Sequence, residues 1–72
     1  MSTYDQKTHE WEAAFSDALT FVACGETRDY AFDALLSYEA LEAVEISDIL
    51  GEALHEALKQ DVQREDIDES WF

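Results

Sequence analysis

Residues 39–58 read EALEAVEISDILGEALHEAL and carry two patterns at once. From Ile46 onward the apolar residues recur every three or four positions, which is typical of an amphipathic helix. Acidic residues recur at the same interval, with no Lys or Arg among them. They are Glu39, Glu42, Glu45, Asp48, Glu52 and Glu56. Like charges at this spacing on a helix repel one another, so we expect the acidic series to serve a purpose other than stability.

The composition predicts an all-α fold. The 72 residues include no proline and only two glycines, and they are rich in Ala, Leu and Glu, which are strong helix formers. The formal net charge is −14, yet 47% of the residues are apolar. A chain with that apolar content can form a core, so we expect a folded domain rather than disorder.

Three apolar repeats predict three helices, over about residues 8–24, 28–45 and 48–63. They form a small three-helix bundle in a single domain, residues 1–63. Thr8 and Thr27 are the expected N-caps of the first two helices, and Gly25 is placed to end the first one. The alternative is a bundle of four short helices, in which the second helix is broken near Ser37.

The second and third helices are expected to meet at a bend. The apolar phase of Leu41 and Val44 does not continue into Ile46, so we place the bend at residues 45–47, with Ser47 capping the third helix. The acidic series then straddles two helices. Gly51 lies inside the third helix, where glycine costs about 1 kcal/mol relative to alanine unless another backbone approaches it.

A second apolar strip is predicted on the helix at residues 28–45. It consists of Phe32, Leu36, Ala40 and Ala43. Either the strip completes the core of a monomer or it is buried in a homodimer, although repulsion between two acidic chains opposes the dimer. Both states remain open at this point.

Residues 64–72 form an acidic tail that ends in two aromatic residues. Its candidate binding residues are Asp66, Asp68, Glu69, Trp71 and Phe72. One hypothesis makes the protein a small adaptor that binds a partner through this tail, because it faintly resembles the acidic, aromatic-ended tips of bacterial single-strand-DNA-binding proteins. The other interpretation is that the two aromatic rings fold back and supply apolar area to a small core.

Cysteine usage and hydropathy indicate a cytoplasmic protein. Cys24 is the one cysteine, so no internal disulfide is possible, and we expect a buried or half-buried structural thiol in a reducing compartment. The first ten residues are polar and do not resemble an export signal. No apolar run approaches the roughly 20 residues that cross a bilayer.

No residue pattern in the chain indicates catalysis. Glu52 and His55 have the Glu-x-x-His spacing of helical di-iron sites, and His9 with Glu12 gives the reverse order. Glu52 and His55 are nevertheless expected to face solvent, opposite the apolar stripe of their helix. We therefore predict no metal, no cofactor and no enzymatic activity.

The charge itself is the strongest functional signal. Because the chain has 18 acidic residues and four Lys or Arg residues, we expect a basic protein surface as the partner, and neither nucleic acid nor an anionic membrane. Two explanations of the excess acidity compete. One is halophilic adaptation, in which acidity is a response to the solvent. The other is imitation of the nucleic-acid backbone, which nucleic-acid-binding proteins contact through Lys and Arg.

In size, charge and spacing of acids along helices, the chain resembles small acidic anti-defence proteins of phages. Many proteins of that class inhibit CRISPR or restriction complexes by mimicking DNA, and they act in the cytoplasm of the host cell. The resemblance implies that the acidic series from Glu39 to Glu56, together with Asp29 and Asp33, occupies the positions of phosphates.

Overall fold

A computed structural model describes residues 3–72, with side chains from Asp5 onward. It contains helix α1 at Thr3–Ala23, helix α2 at Arg28–Leu35 and helix α3 at Ala43–Lys59. Two single turns of 3₁₀ helix follow, at Arg64–Asp66 and Glu69–Trp71. Residues 3–72 contain no strand, so the predicted all-α fold of three helices is confirmed.

Helix α3 is the central element of the core. Lys7, near the start of α1, pairs with Glu45, near the start of α3. Phe15, farther along α1, lies beside Gly51, farther along α3. The two helices therefore run in the same direction. Helix α2 packs against both. The buried apolar residues come from all three helices, the loop before α3 and the C-terminal segment: Ala14, Ala18, Val22, Ala31, Leu35, Leu41, Ile46, Ile49, Leu50, Ala53, Ala57, Ile67 and Trp71.

Helix α1 starts five residues earlier than predicted and ends where expected. Residues 3–7 continue the helix, so Thr8 lies inside it and is not the N-cap. At the other end, Gly25 has a positive φ of 78°, and the backbone N–H of Glu26 donates to the carbonyl of Phe21 at 3.0 Å. This is the pattern of a Schellman motif, and it confirms Gly25 as the C′ residue. Cys24 is exposed at this helix end, which corrects the expectation of a buried thiol.

Helix α2 ends at Leu35, ten residues before its predicted end, and α3 begins at Ala43 instead of residue 48. The predicted N-cap Thr27 is confirmed, because its Oγ1 accepts a hydrogen bond from the N–H of Tyr30 at 3.1 Å. Residues 36–42 form a loop, which removes the predicted bend at residues 45–47. Ser47 therefore lies inside α3, whose N-cap position is occupied by Glu42.

The early start of α3 has a local cause. Leu41 is buried although it is not helical, and Val44 is 64% exposed, so neither belongs to an apolar face of α2. Leu41 precedes the N-cap and Ile46 is the fourth residue of the helix, and both lie in the same buried cluster. This arrangement is typical of a hydrophobic staple, which fixes the direction in which a chain enters a helix.

The predicted second apolar strip does not form. Because α2 ends at Leu35, the four residues of the predicted strip do not share a helix. Phe32 packs against the core from α2, and Leu36 and Ala40 lie in the loop. Ala43 is the first residue of α3 and is exposed. The proposed dimer surface on α2 therefore lacks its structural basis.

The C-terminal segment is bound to the helices. Ile67 and Trp71 are buried, and the Trp71 indole N–H donates to the backbone carbonyl of Glu26 at 2.8 Å. The Ser70 hydroxyl accepts a hydrogen bond at 2.8 Å from the backbone N–H of Arg28, the first residue of α2. That N–H has no partner within its own helix, so a residue 42 positions away completes the cap of α2.

A short hydrogen bond connects the loop at residues 36–42 to α1. The Tyr38 hydroxyl donates to Oδ2 of Asp17 at 2.5 Å. This bond, together with partial burial and the charges of Asp17 and Glu10, raises the pKa of Tyr38 from 10.0 to about 12. A raised pKa means that the neutral phenol is favoured in the folded state. The resulting stabilisation is complete below pH 10 and is lost as the pH rises towards about 12.

We expect a late step, from Tyr38, at a pH above 10.0 when phenolate absorbance is followed against pH. Tyr38→Phe should remove the latest-titrating step, and Asp17→Asn should return the pKa of Tyr38 towards 10 because the charged acceptor is lost. Tyr30→Phe is the control that leaves the late step in place. A late step that survives Tyr38→Phe would contradict the assignment.

Candidate functional site

Four of the predicted acidic residues lie along one side of α3. We call Glu45, Asp48, Glu52 and Glu56 the acidic face. At 100° per residue they fall within an arc of roughly 80°, and they span about 16 Å of helix axis. Because α3 begins at Ala43, the face lies on one continuous helix and not across a bend.

The N-terminal end of the acidic face contacts α1. Nζ of Lys7 lies 2.8 Å from Oε1 of Glu45. The hydrogen bond to Glu45 is the main cause that raises the pKa of Lys7, and the charge of Glu42 contributes as well. Glu42 therefore lies within electrostatic reach of the same lysine and extends the negative region to the start of α3.

The rest of the acidic face consists of Asp48, Glu52 and Glu56. Among the described residues, no Lys or Arg lies within ion-pair distance of Asp48, Glu52 or Glu56. Glu56 accepts a hydrogen bond from the amide of Gln60 at 3.2 Å, which leaves its charge in place. The exposed Lys59 follows Glu56 by three residues, and it marks the end of the negative region.

The other predicted acidic residues lie elsewhere. Glu39 is exposed in the loop before α3, and Asp29 and Asp33 are exposed on α2. The Arg28 guanidinium donates to Oγ of Ser47 at 3.0 Å, and Ser47 projects from α3 about 140° around the axis from Glu52. Helix α2 thus contacts α3 away from the acidic face. Asp29 and Asp33 lie on a different helix from Glu52.

A groove runs between the acidic face and α1. Its α1 side carries Trp11 and Phe15, two half-buried rings stacked at a centroid distance of 5.5 Å and an interplanar angle of 6°. Two shallow depressions border these rings, one on α1 and one between α1 and α3. The first, about 360 Å³, is lined by Lys7, Thr8, Trp11 and Glu12. The second, about 300 Å³, is lined by Phe15, Gly51, Glu52, His55 and Glu56.

Gly51 keeps the second depression open. A Cβ atom built on Gly51 meets no atom within 4 Å, so no neighbouring backbone in the described chain requires glycine there. A close backbone approach would account for a glycine inside a helix, and within residues 3–72 that approach is absent. The chain therefore carries a helix-weakening residue whose structural effect is an open surface beside Phe15.

Trp11 and Phe15 follow the same apolar repeat of α1 as the buried Ala14 and Ala18, so the sequence alone does not predict the groove. The helical spacing of the two rings was visible, but their partial exposure depends on where α3 lies against α1. Gly51 was the available signal, because an interior helical glycine requires an explanation.

The Glu52 and His55 pair lies at the second depression, with both side chains exposed. His9 and Glu12 are exposed on α1. Over the described part of the chain, no group of three or more His, Cys, Asp or Glu side chains is arranged to hold a metal ion.

The candidate tail site is mostly engaged within the chain. Hydrogen bonds from the Ser70 backbone and side chain to Asp68 lower the pKa of that carboxyl group. Trp71 is buried, whereas Phe72 is 50% exposed and lies under the Arg64 guanidinium at 4.1 Å from the ring centroid. Asp66 and Glu69 are exposed. Phe72, the aromatic ring that a docking tail would present to a partner, is thus partly covered by Arg64.

Between residues 3 and 72, none of the helices has the length and apolarity needed to cross a membrane. No protein-family model, curated protein or solved structure matches the chain.

Proposed function

We propose that the protein is a non-enzymatic inhibitor that mimics nucleic acid. Its acidic face fills a groove, lined by Lys and Arg, in a nucleic-acid-binding complex such as a CRISPR or restriction machine. One observation carries the proposal: Asp48, Glu52 and Glu56 form a row of carboxylates on a single helix, with no Lys or Arg of the described residues within ion-pair distance, in a chain with a net charge of −14.

The spacing of the row supports mimicry. Successive carboxylates are three or four residues apart, which corresponds to about 4.5–6 Å along the helix axis. Each strand of B-DNA carries one negative charge per about 3.4 Å of its axis. A groove that accepts phosphates at that density meets a comparable row of single negative charges on α3.

The energetic argument is that the row is unfavourable for the isolated protein. Repulsion between carboxylates at these spacings costs roughly 0.2–0.5 kcal/mol per pair. Lys or Arg at intervening surface positions would turn repulsion into attraction. Lys59 is the one Lys or Arg in α3. A surface kept unfavourable in isolation is consistent with a role that is fulfilled only in a complex.

The mechanism is steric and electrostatic competition. The acidic face occupies the groove, its field accelerates encounter with a positive surface, and nucleic acid is excluded while the complex persists. Binding in this mode requires no cofactor and releases no product. It weakens as salt screens the charges, since the Debye length falls from about 30 Å at 0.01 M to about 8 Å at 0.15 M.

The test is a competition experiment. Immobilised protein is incubated with host lysate at low and moderate salt, and bound complexes are then challenged with duplex DNA or guide RNA. We expect nucleic acid to displace a nucleic-acid-binding complex, and the free protein to block DNA binding by that complex in a gel-shift assay. A captured complex that still binds DNA normally would contradict the proposal.

Experiments on the same purified protein distinguish mimicry from its two alternatives, halophilic adaptation and an adaptor that binds through its tail. A halophilic protein should unfold when salt is lowered from molar concentrations, whereas a mimic should stay folded and bind more tightly. An adaptor that binds through its tail should lose its partner on Phe72→Ala, because Phe72 is the half-exposed ring of the tail. A mimic that acts through α3 should retain its partner in that variant.

A further inference from the structure

The groove between α1 and α3 combines an aromatic side with a negative rim. The stacked Trp11 and Phe15 rings lie on the α1 side, and Glu52 and Glu56 rise from α3. A purely electrostatic mimic needs only the carboxylates. Phe15 and Gly51 are additional features, and both line the second depression.

We propose that the second depression of this groove receives an arginine side chain of the basic partner, with the guanidinium against Phe15 and paired with Glu52 and Glu56. The inference rests on the proposed function, since it assumes a basic partner, and it names the group that binds at this point. A depression of about 300 Å³ is at the lower end of the range for small-ligand pockets and suits a single side chain.

The chemistry of the lining favours guanidinium over ammonium. Guanidinium is planar and weakly hydrated, stacks on aromatic rings and donates paired hydrogen bonds to carboxylates. Ammonium is a compact and strongly hydrated charge that gains less from a ring. The chain shows the same contact internally, where the Arg64 guanidinium lies 4.1 Å from the centre of the Phe72 ring.

Gly51 has a specific role in this arrangement. It lines the depression, and a side chain at that position would project into open space and not into the core. A larger residue would occupy the volume that the guanidinium needs. Filling the site should therefore remove the preference for arginine over lysine without disturbing the fold.

The probes are oligoarginine and oligolysine peptides of equal length, titrated calorimetrically against the full chain at low salt. Both peptides should bind, because both are positive, and oligoarginine should bind about fivefold more tightly because of its contact with Phe15. Gly51→Leu should reduce that preference to less than about twofold. Its melting temperature should not fall, since leucine forms helices better than glycine.

Ser16→Leu is the matched control, because it adds the same side chain at an exposed position of α1 that lines neither depression. The arginine preference should persist in it. Equal affinity of the parent for both peptides, or a preference that survives Gly51→Leu, would overturn the inference and leave the proposed function standing. Failure of both peptides to bind the parent would overturn the two together.

Discussion

Trp71→Ala is expected to remove most of the stability of the fold. Trp71 is 6% exposed and donates its indole N–H to the Glu26 carbonyl. Truncation of a buried Trp to Ala typically costs about 3–5 kcal/mol, and it also leaves that carbonyl without its partner. A domain of this size has roughly 4–11 kcal/mol of stability in total, so we expect a melting temperature lowered by tens of degrees or no cooperative transition.

Phe72→Ala is the control for that prediction. Its ring is 50% exposed and contacts Arg64, so we expect a loss of about 1 kcal/mol or less. Urea unfolding followed by circular dichroism measures both variants. Similar stabilities for Trp71→Ala and the parent would show that the C-terminal segment is not part of the folded unit.

Neutralising the acidic face is expected to have opposite effects on stability and binding. In the triple variant Asp48→Asn, Glu52→Gln, Glu56→Gln, three repulsive contacts along α3 disappear. The free energy of unfolding should rise by roughly 0.5–1.5 kcal/mol at low salt. Affinity for the partner complex should fall at least about 100-fold, because close charge pairs across an interface contribute about 1.5 kcal/mol or more each.

The matched control carries the same change in net charge at exposed positions outside the acidic face: Glu26→Gln, Asp61→Asn, Glu65→Gln. Long-range attraction falls equally in both triple variants, so the difference between them isolates the contribution of position. We expect the control to bind within about tenfold of the parent at moderate salt, where distant charges are screened. Equal losses in the two variants would mean that total charge, and not the acidic face, determines binding.

Local signals in the sequence predicted the features that local forces determine. Thr27 and Gly25 fall at a helix start and a helix end because their side-chain and backbone properties satisfy orphan hydrogen-bonding groups within a few residues. The apolar repeat of α3 predicted its buried side, because helical periodicity is also set by local backbone geometry. These signals do not depend on the rest of the chain.

The failed predictions have two causes: an environment supplied by distant residues, and a helix end that no glycine marks. Leu41 was assigned to a helix because it is apolar, but it is buried from a loop, and the helical repeat alone does not distinguish these cases. The predicted third helix extended to residue 63, whereas α3 ends at Lys59. There Asp61 adopts a positive φ of 66°, and the N–H of Val62 bonds to the Ala57 carbonyl. Such a reversal is seldom predicted at a non-glycine residue.

The sequence by itself determined that this protein is helical, strongly acidic and amphipathic along α3. It also determined that Asp48, Glu52 and Glu56 share one side of that helix, because helical periodicity is a property of local backbone geometry; Glu45 was predicted on the preceding helix, and the early start of α3 adds it to the face. The tertiary structure alone decided what lies beside them. Lys7 pairs with Glu45, Phe15 borders Glu52, and Trp71 closes the far end of the bundle. These contacts join residues far apart in the chain and follow from how the helices pack to bury their apolar sides, which no local pattern specifies.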